Sequence, residues 1–163
     1  HETSSFMVVQ HQAPFLTREL ACGGAAVTKA LAAVKGVSEK EADELKRKKN
    51  AVEPAVLREA TLRGFEPLMD ELDHSIRFFE NESGEELKSI VVGGGGALSS
   101  EALSVFSDTL ERPMGLWDGL EKLDRGPDLS AEVTQRYACQ LNVALGLALR
   151  GLVNKDDRAK SAA

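Results

Sequence analysis

Ser89-Ile90-Val91-Val92-Gly93-Gly94-Gly95-Gly96-Ala97 is an apolar, β-branched run that breaks into four glycines and then opens a helix-like segment, Leu98 to Leu110. The order reads strand, tight turn, helix. β-Branched residues suit a buried strand, and glycine is needed where backbone turns sharply or approaches a ligand too closely for a Cβ. Ser99 or Ser100 stands where a helix N-cap is expected, and the free N–H groups and positive dipole end of that helix face whatever occupies the turn. The segment has the form of a nucleotide turn, yet it matches neither common motif. A phosphate loop needs a lysine and a hydroxyl residue after its last glycine, where Ala97 and Leu98 stand. The dinucleotide pattern G-x-G-x-x-G, counted from Gly93, meets Leu98 at its last glycine. A tight turn without a ligand accounts for these residues equally well.

Composition bounds the alternatives. The 163 residues suit one domain of ordinary size with enough apolar content for a core. A net charge of -6 argues against a general nucleic-acid binder, which needs clustered Lys and Arg. The basic run Lys46 to Lys49 follows Glu39, Glu41, Asp43 and Glu44, the pattern of a solvated helix face with i,i+4 pairs. Cys22 and Cys139 lie far apart with no C-x-x-C, which indicates neither a zinc knuckle nor a redox pair and fits a reducing cytosol. His1, His11 and His74 are too scattered for a metal cage, and neither H-E-x-x-H nor G-x-S-x-G occurs. No run approaches the ~20 apolar residues of a membrane span, and no signal peptide is visible.

Along the chain, Ser4 to Gln10 and Phe15 to Leu20 read as a hairpin turned at His11-Gln12-Ala13-Pro14. Gly23-Gly24 precedes an Ala-rich helix, Ala25 to Val34, which Gly36 ends. Ser38 and Glu41 form a capping-box pattern for a helix through about Lys49. A longer helical region opens at Glu53-Pro54 and carries Phe65, Leu68, Met69, Leu72, Ile76 and Phe79 at helical spacing, with Pro67 expected to kink or divide it. Phe78-Phe79 reads as core, and Asp70, Glu71 and Asp73 as an acidic solvent face. Pro113 to Trp117 is a short strand candidate, Leu123 to Ser130 a loop, and Ala131 to Leu152 a last helix with a stripe at Tyr137, Leu141, Ala144, Leu145, Ala148 and Leu152. Residues 153–163 form a polar tail. The whole is a mixed α/β domain, one sheet with helices around it.

An ordered set of segments then carries a resemblance. Phe15 to Gly24 (FLTRELACGG), Glu41 to Lys46 (EADELK), Glu71 to Phe79 (ELDHSIRFF), Ile90 to Ala97 and Leu145 to Arg150 (LGLALR) together resemble, in order and over nearly the whole chain, the second half of the PilM family. These are actin-like proteins of type IV pilus and competence assembly, related to the division protein FtsA.

The resemblance implies half of an actin-like ATPase (ribonuclease H-like) α/β fold, a mixed sheet with surrounding helices. Residues 1–152 would be the second of two lobes that close on ATP and Mg²⁺, with a helical subdomain inserted at about 25–65. The family's phosphate-holding Asp-x-Gly turn falls just before His1-Glu2-Thr3-Ser4, so Thr3 and Ser4 are the expected phosphate-side hydroxyls. Its A-E-x-x-K pattern, whose acid and lysine flank the ribose, falls on Ala42, Asp43 and Lys46, with Asp where Glu is usual. Gly94, Gly95 and Gly96 would pass beside adenine or ribose, and Gly146 would let the last helix pack closely. No residue is assigned a catalytic role and none a direct metal bond. The implied function is a cytoplasmic ATP-binding scaffold, peripheral at the inner membrane, recruited by a segment of a PilN-like membrane protein alongside other pilus components. Hydrolysis is expected to be weak in the complete protein and negligible in this piece alone. Two alternatives remain: half of a sugar-type small-molecule kinase of the same fold, and a pseudo-ATPase scaffold without nucleotide.

Overall fold

The structure is a computed structural model that describes residues 2–48, 50–99, 101–121, 123, 126, 130 and 137–161, with side chains as far as residue 152. Strands β1 (Ser4–Gln10) and β2 (Ala13–Leu20) form an antiparallel hairpin. Its two-residue turn puts His11 at φ 50° and Gln12 at φ 66°, both left-handed as a type I′ turn requires. Pro14 therefore belongs to β2, opposite Val9 at a register shift, where a residue without an N–H is tolerated.

Three helices follow. Helix α1 (Gly24–Lys35) ends at Gly36, and α2 (Glu39–Arg47) is capped by Ser38, whose Oγ accepts from the Glu41 N–H at 3.3 Å. Helix α3 (Pro54–Ser83) runs unbroken for 30 residues. Pro67 neither divides it nor ends it; the residue lies on the exposed side, where the carbonyl that loses its donor can be hydrated.

Helix α3 is the spine of the core. The predicted stripe is buried at Phe65, Leu68, Met69, Ile76 and Phe79, with Leu72 half-buried, whereas Phe78 points to solvent. Cys22, Val27, Phe65, Leu68, Met69, Ala102, Val105 and Phe106 make one cluster. Leu31, Ala32, Ala42 and Ala60 make a second, which fastens α2 onto α1 and α3. Phe65 and Phe106 lie 5.0 Å apart, and Phe15 of the hairpin meets Phe79 edge-on at 5.1 Å.

Beyond α3, β3 (Ile90–Val92) enters the glycines, a 3₁₀ turn covers Gly95–Leu98, and α4 (Ala102–Leu110) leads to β4 (Met114–Leu116), which pairs parallel with β3. The expected single sheet is thus, among the described residues, two separate pairs. The strands β3 and β4 are only three residues long and bond to each other, while Met7, Val9 and Val91 remain exposed.

Two local expectations are corrected. Helix α4 starts at Ala102, not Leu98, because the chain first spends a 3₁₀ turn burying Ala97. Its cap residue Glu101 is already helical, so Ser99 does not cap: Ser99 Oγ is buried without a hydrogen-bond partner among the described residues, and Ser100 lies outside them. The last helix is also interrupted. A 3₁₀ turn at Ala138–Gln140 precedes α5 (Asn142–Ser161), because the Cys139 carbonyl is turned away to accept from Gly94 N–H. Of the predicted stripe only Leu145 is half-buried, with Ala144, Ala148 and Leu152 exposed, and helical backbone continues into the expected polar tail as far as Ser161. The start of that predicted helix, 131–136, and most of the loop 123–130 lie outside the described residues.

Candidate functional site

Two groups of bonds hold the residues that the sequence singles out. The first gathers at the Cys22–Gly24 corner, where β2 gives way to α1. Ser4, first residue of β1, donates from Oγ to the Cys22 carbonyl at 2.7 Å, so the hairpin's base is tied to the corner. Thr3, just before it, is exposed. Lys46 arrives from α2. Its Nζ donates to the Gly24 carbonyl at 2.8 Å and to Thr28 Oγ1, which itself donates to the same carbonyl at 3.2 Å. Lys46 thus staples α2 onto the first turn of α1.

Asp43 lies one turn earlier on the same face of α2, as the i,i+3 spacing predicts. Its Oδ1 is 3.6 Å from Lys46 Nζ, and its Oδ2 accepts from Arg47 Nε at 2.7 Å. Oδ1 is shielded from solvent, and at that distance it has no hydrogen-bond donor among the described residues. Burial alone would raise the Asp43 pKa, but the hydrogen bond and charge of Arg47, helped by Lys46, hold it below the ordinary value of 3.8. For Lys46 burial prevails over the attraction of Asp43, and its pKa is lowered.

The second group is the glycine turn. Gly94 sits at φ 97°, a left-handed conformation open to glycine, and its N–H donates to the Cys139 carbonyl at 2.6 Å. Among the described residues, a Cβ at Gly94, Gly95 or Gly96 would meet no protein atom within 4 Å. Gly93 differs, since a Cβ there would collide with the Asn142 amide and crowd the Cys139 carbonyl at 3.2 Å. Among the described residues a Cβ at Gly146 would touch nothing, and Asn142 makes the close approach to the turn.

The structure therefore brings Ser4, Asp43 and Lys46 to one corner and holds Gly94 to Gly96 by a separate set of bonds. Both rest on one core cluster, which contains Cys22 beneath the corner and Ala102 at the start of α4. Two surface concavities lie elsewhere. A groove of 1150 Å³ runs between the end of α3 and residues 109–113 around the Glu80–Arg112 ion pair of 2.9 Å, and a smaller one of 460 Å³ lies between β2 and α3 near Pro67. Neither is lined by a predicted site residue. Sequence reading missed Thr28 and Asn142. Thr28 was within reach, since it stands four residues after Gly24 on one helix; nothing local marks Asn142.

Comparison with known proteins places this geometry. The arrangement of hairpin, helices and strand–glycine–helix unit is an actin-like α/β fold. The chain matches a solved PilM-PilN type IV pilus biogenesis complex with a TM-score of 0.75 at 26% identity, over 92% of its own length and 43% of that chain. It also matches the ethanolamine utilization protein EutJ from Carboxydothermus hydrogenoformans with a TM-score of 0.56 at 16% identity, over 71% of its length and 40% of that chain. It spans less than half of either protein. Residues 1–152 match the family of the type IV pilus assembly protein PilM, and the chain belongs to that family. No curated protein sequence is matched.

Proposed function

We propose that this chain is the second, nucleotide-facing lobe of an ATP-binding scaffold for type IV pilus assembly. Thr3 and Ser4 face the phosphates, Asp43 and Lys46 the ribose, and Gly94, Gly95 and Gly96 the adenine. The observation that carries the reading is the convergence of Ser4, Gly24 and Lys46 on one corner through hydrogen bonds. The fit of the nucleotide is supported by two further features. Asp43 sits beside Lys46 on the α2 face that meets the corner, and among the described residues a Cβ at Gly95 or Gly96 would meet no protein atom within 4 Å. Mg²⁺ would arrive with the phosphates of the nucleotide. ATP that touches both lobes favours the closed form by its differential affinity.

The PilN of the matched complex suggests the partner, a PilN-like segment of an inner-membrane protein. Such a partner holds the scaffold at the cytoplasmic face of the inner membrane. Among the described residues no helix is long and apolar enough to cross a membrane.

One observation favours a second reading, a pseudo-ATPase scaffold. Two protein acceptors and the Asp43 carboxylate already surround the Lys46 ammonium, so the lysine has a structural task without any ligand. Calorimetric titration of Mg-ATP into the complete gene product and its Lys46→Ala variant separates the two. Binding that weakens in folded variant supports the ATP-binding scaffold, and no binding by either folded protein supports the pseudo-ATPase.

A further inference from the structure

The glycine turn is held by the Gly94 N–H bond to the Cys139 carbonyl, and an amide side chain bears on that same carbonyl. Asn142, the first residue of α5, donates from Nδ2 to the Cys139 carbonyl at 3.0 Å and toward the Trp117 carbonyl at 3.4 Å. Both partners are acceptors, so the network fixes which end of the amide faces them. The same Cys139 carbonyl takes the Gly94 N–H, and the Trp117 N–H donates to the Val92 carbonyl at 2.9 Å. The side chain thus ties the residue after β4 to the start of α5, and the backbone bonds of Trp117 and Gly94 tie both to the end of β3.

Two glycines make room for it. A Cβ on Gly93 would overlap Asn142 Nδ2, and a Cβ on Gly119 would lie 2.9 Å from Asn142 Oδ1 and 3.1 Å from Leu145 Cδ1. The amide is clasped from both sides. Gly93 is thus required by Asn142, whereas Gly95 and Gly96 are left to face outward.

We infer that Asn142 is the positioning residue of the glycine turn: through Gly93, Gly94 and Cys139 it sets the path of Gly94 to Gly96 against the adenosine end of a nucleotide. This rests on the nucleotide reading of the turn. Asn142 touches no ligand itself. Asp at this position keeps the shape and replaces the donor with an acceptor that faces two carbonyls, so Asn142→Asp breaks the clasp without leaving a cavity.

Two measurements test it. In a double-mutant cycle on thermal unfolding, Gly93→Ala is costly in the parent protein and much less so beside Asn142→Ala, because removal of the amide relieves the collision. In the complete gene product, Asn142→Asp weakens Mg-ATP about tenfold, the effect of one lost hydrogen-bonded restraint, and leaves Mg-tripolyphosphate binding unchanged. A general loss of stability would weaken both ligands. Additive costs for Gly93→Ala and Asn142→Ala, or equal weakening of ATP and tripolyphosphate in folded Asn142→Asp, overturn the inference. If the parent protein binds no Mg-ATP, the nucleotide reading fails, and the cycle alone decides whether Asn142 positions the turn.

Discussion

At Gly64 the crossing of α1 and α3 leaves no room for a side chain, since a Cβ there would lie 2.7 Å from backbone atoms of Val27. Gly64→Ala must push two helices apart, and we expect a loss of about 1–3 kcal/mol or more in urea unfolding, the usual range for overpacking. A second prediction concerns Asp43. Its folded pKa lies below the unfolded value, so its ionisation contributes stability that is full above about 3.8 and is lost as pH falls through the depressed folded value. Asn at position 43 has no such proton to take up. Denaturation across an acid pH series should therefore fall less steeply for Asp43→Asn than for the parent protein, and equal slopes would contradict the pairing with Arg47 and Lys46. The Asp43–Lys46 pair was legible because i,i+3 spacing lies within one helix. Their partners were not: Gly24 and Thr28 belong to a different element, and only the packing of α2 onto α1 brings them within reach.

Two serines separate a helix start that sequence reads correctly from one that it does not. Ser38 caps α2 through a real hydrogen bond, and Ser38→Ala should cost about 1 kcal/mol. Ser99 precedes α4 in a similar pattern but its buried Oγ has no hydrogen-bond partner among the described residues. Ser99→Ala should thus be neutral or stabilising in thermal unfolding, because it removes a desolvated, unpaired hydroxyl. A cost near that of Ser38→Ala would show that Ser99 caps after all. The difference arises at Gly94, whose left-handed φ of 97° sends the chain into a 3₁₀ turn before the helix. Pro67 is the reverse case, a breaker signal overridden by tertiary burial on both sides of it. Pro67→Ala restores a backbone donor in an intact helix, and we expect it to raise stability by about 1–3 kcal/mol. Elements with a strong period, the α3 stripe above all, were readable; the break at Ala138–Gln140 was not, since its cause is a carbonyl bonded to a glycine 45 residues away.

Among the described residues, apolar side chains stand exposed on α5 and on the hairpin. Val143 and Leu147 on α5 are 76% and 65% exposed, and Leu152 60%, while the hairpin shows Met7 and Val9. Because both side chains are mostly exposed, Val143→Glu and Leu147→Glu should each change unfolding stability by less than about 0.5 kcal/mol. The chain's family and fold class were legible because short segments recur in a fixed order, FLTREL to LGLALR, across nearly its full length. The division into two strand pairs was not, because pairing is decided by which edges meet and not by the residues of any one strand. In the proposed scaffold a nucleotide lies against the Cys22–Gly24 corner and the glycine turn. Hydrogen–deuterium exchange of the complete gene product, with and without saturating Mg-ATP, tests it most directly. Protection should appear together in three segments, 3–4, 24–46 and 93–97, and be lost in the Lys46→Ala variant. Protection confined to the groove around Glu80 and Arg112, or no change at saturating nucleotide, would rule out a nucleotide at this corner.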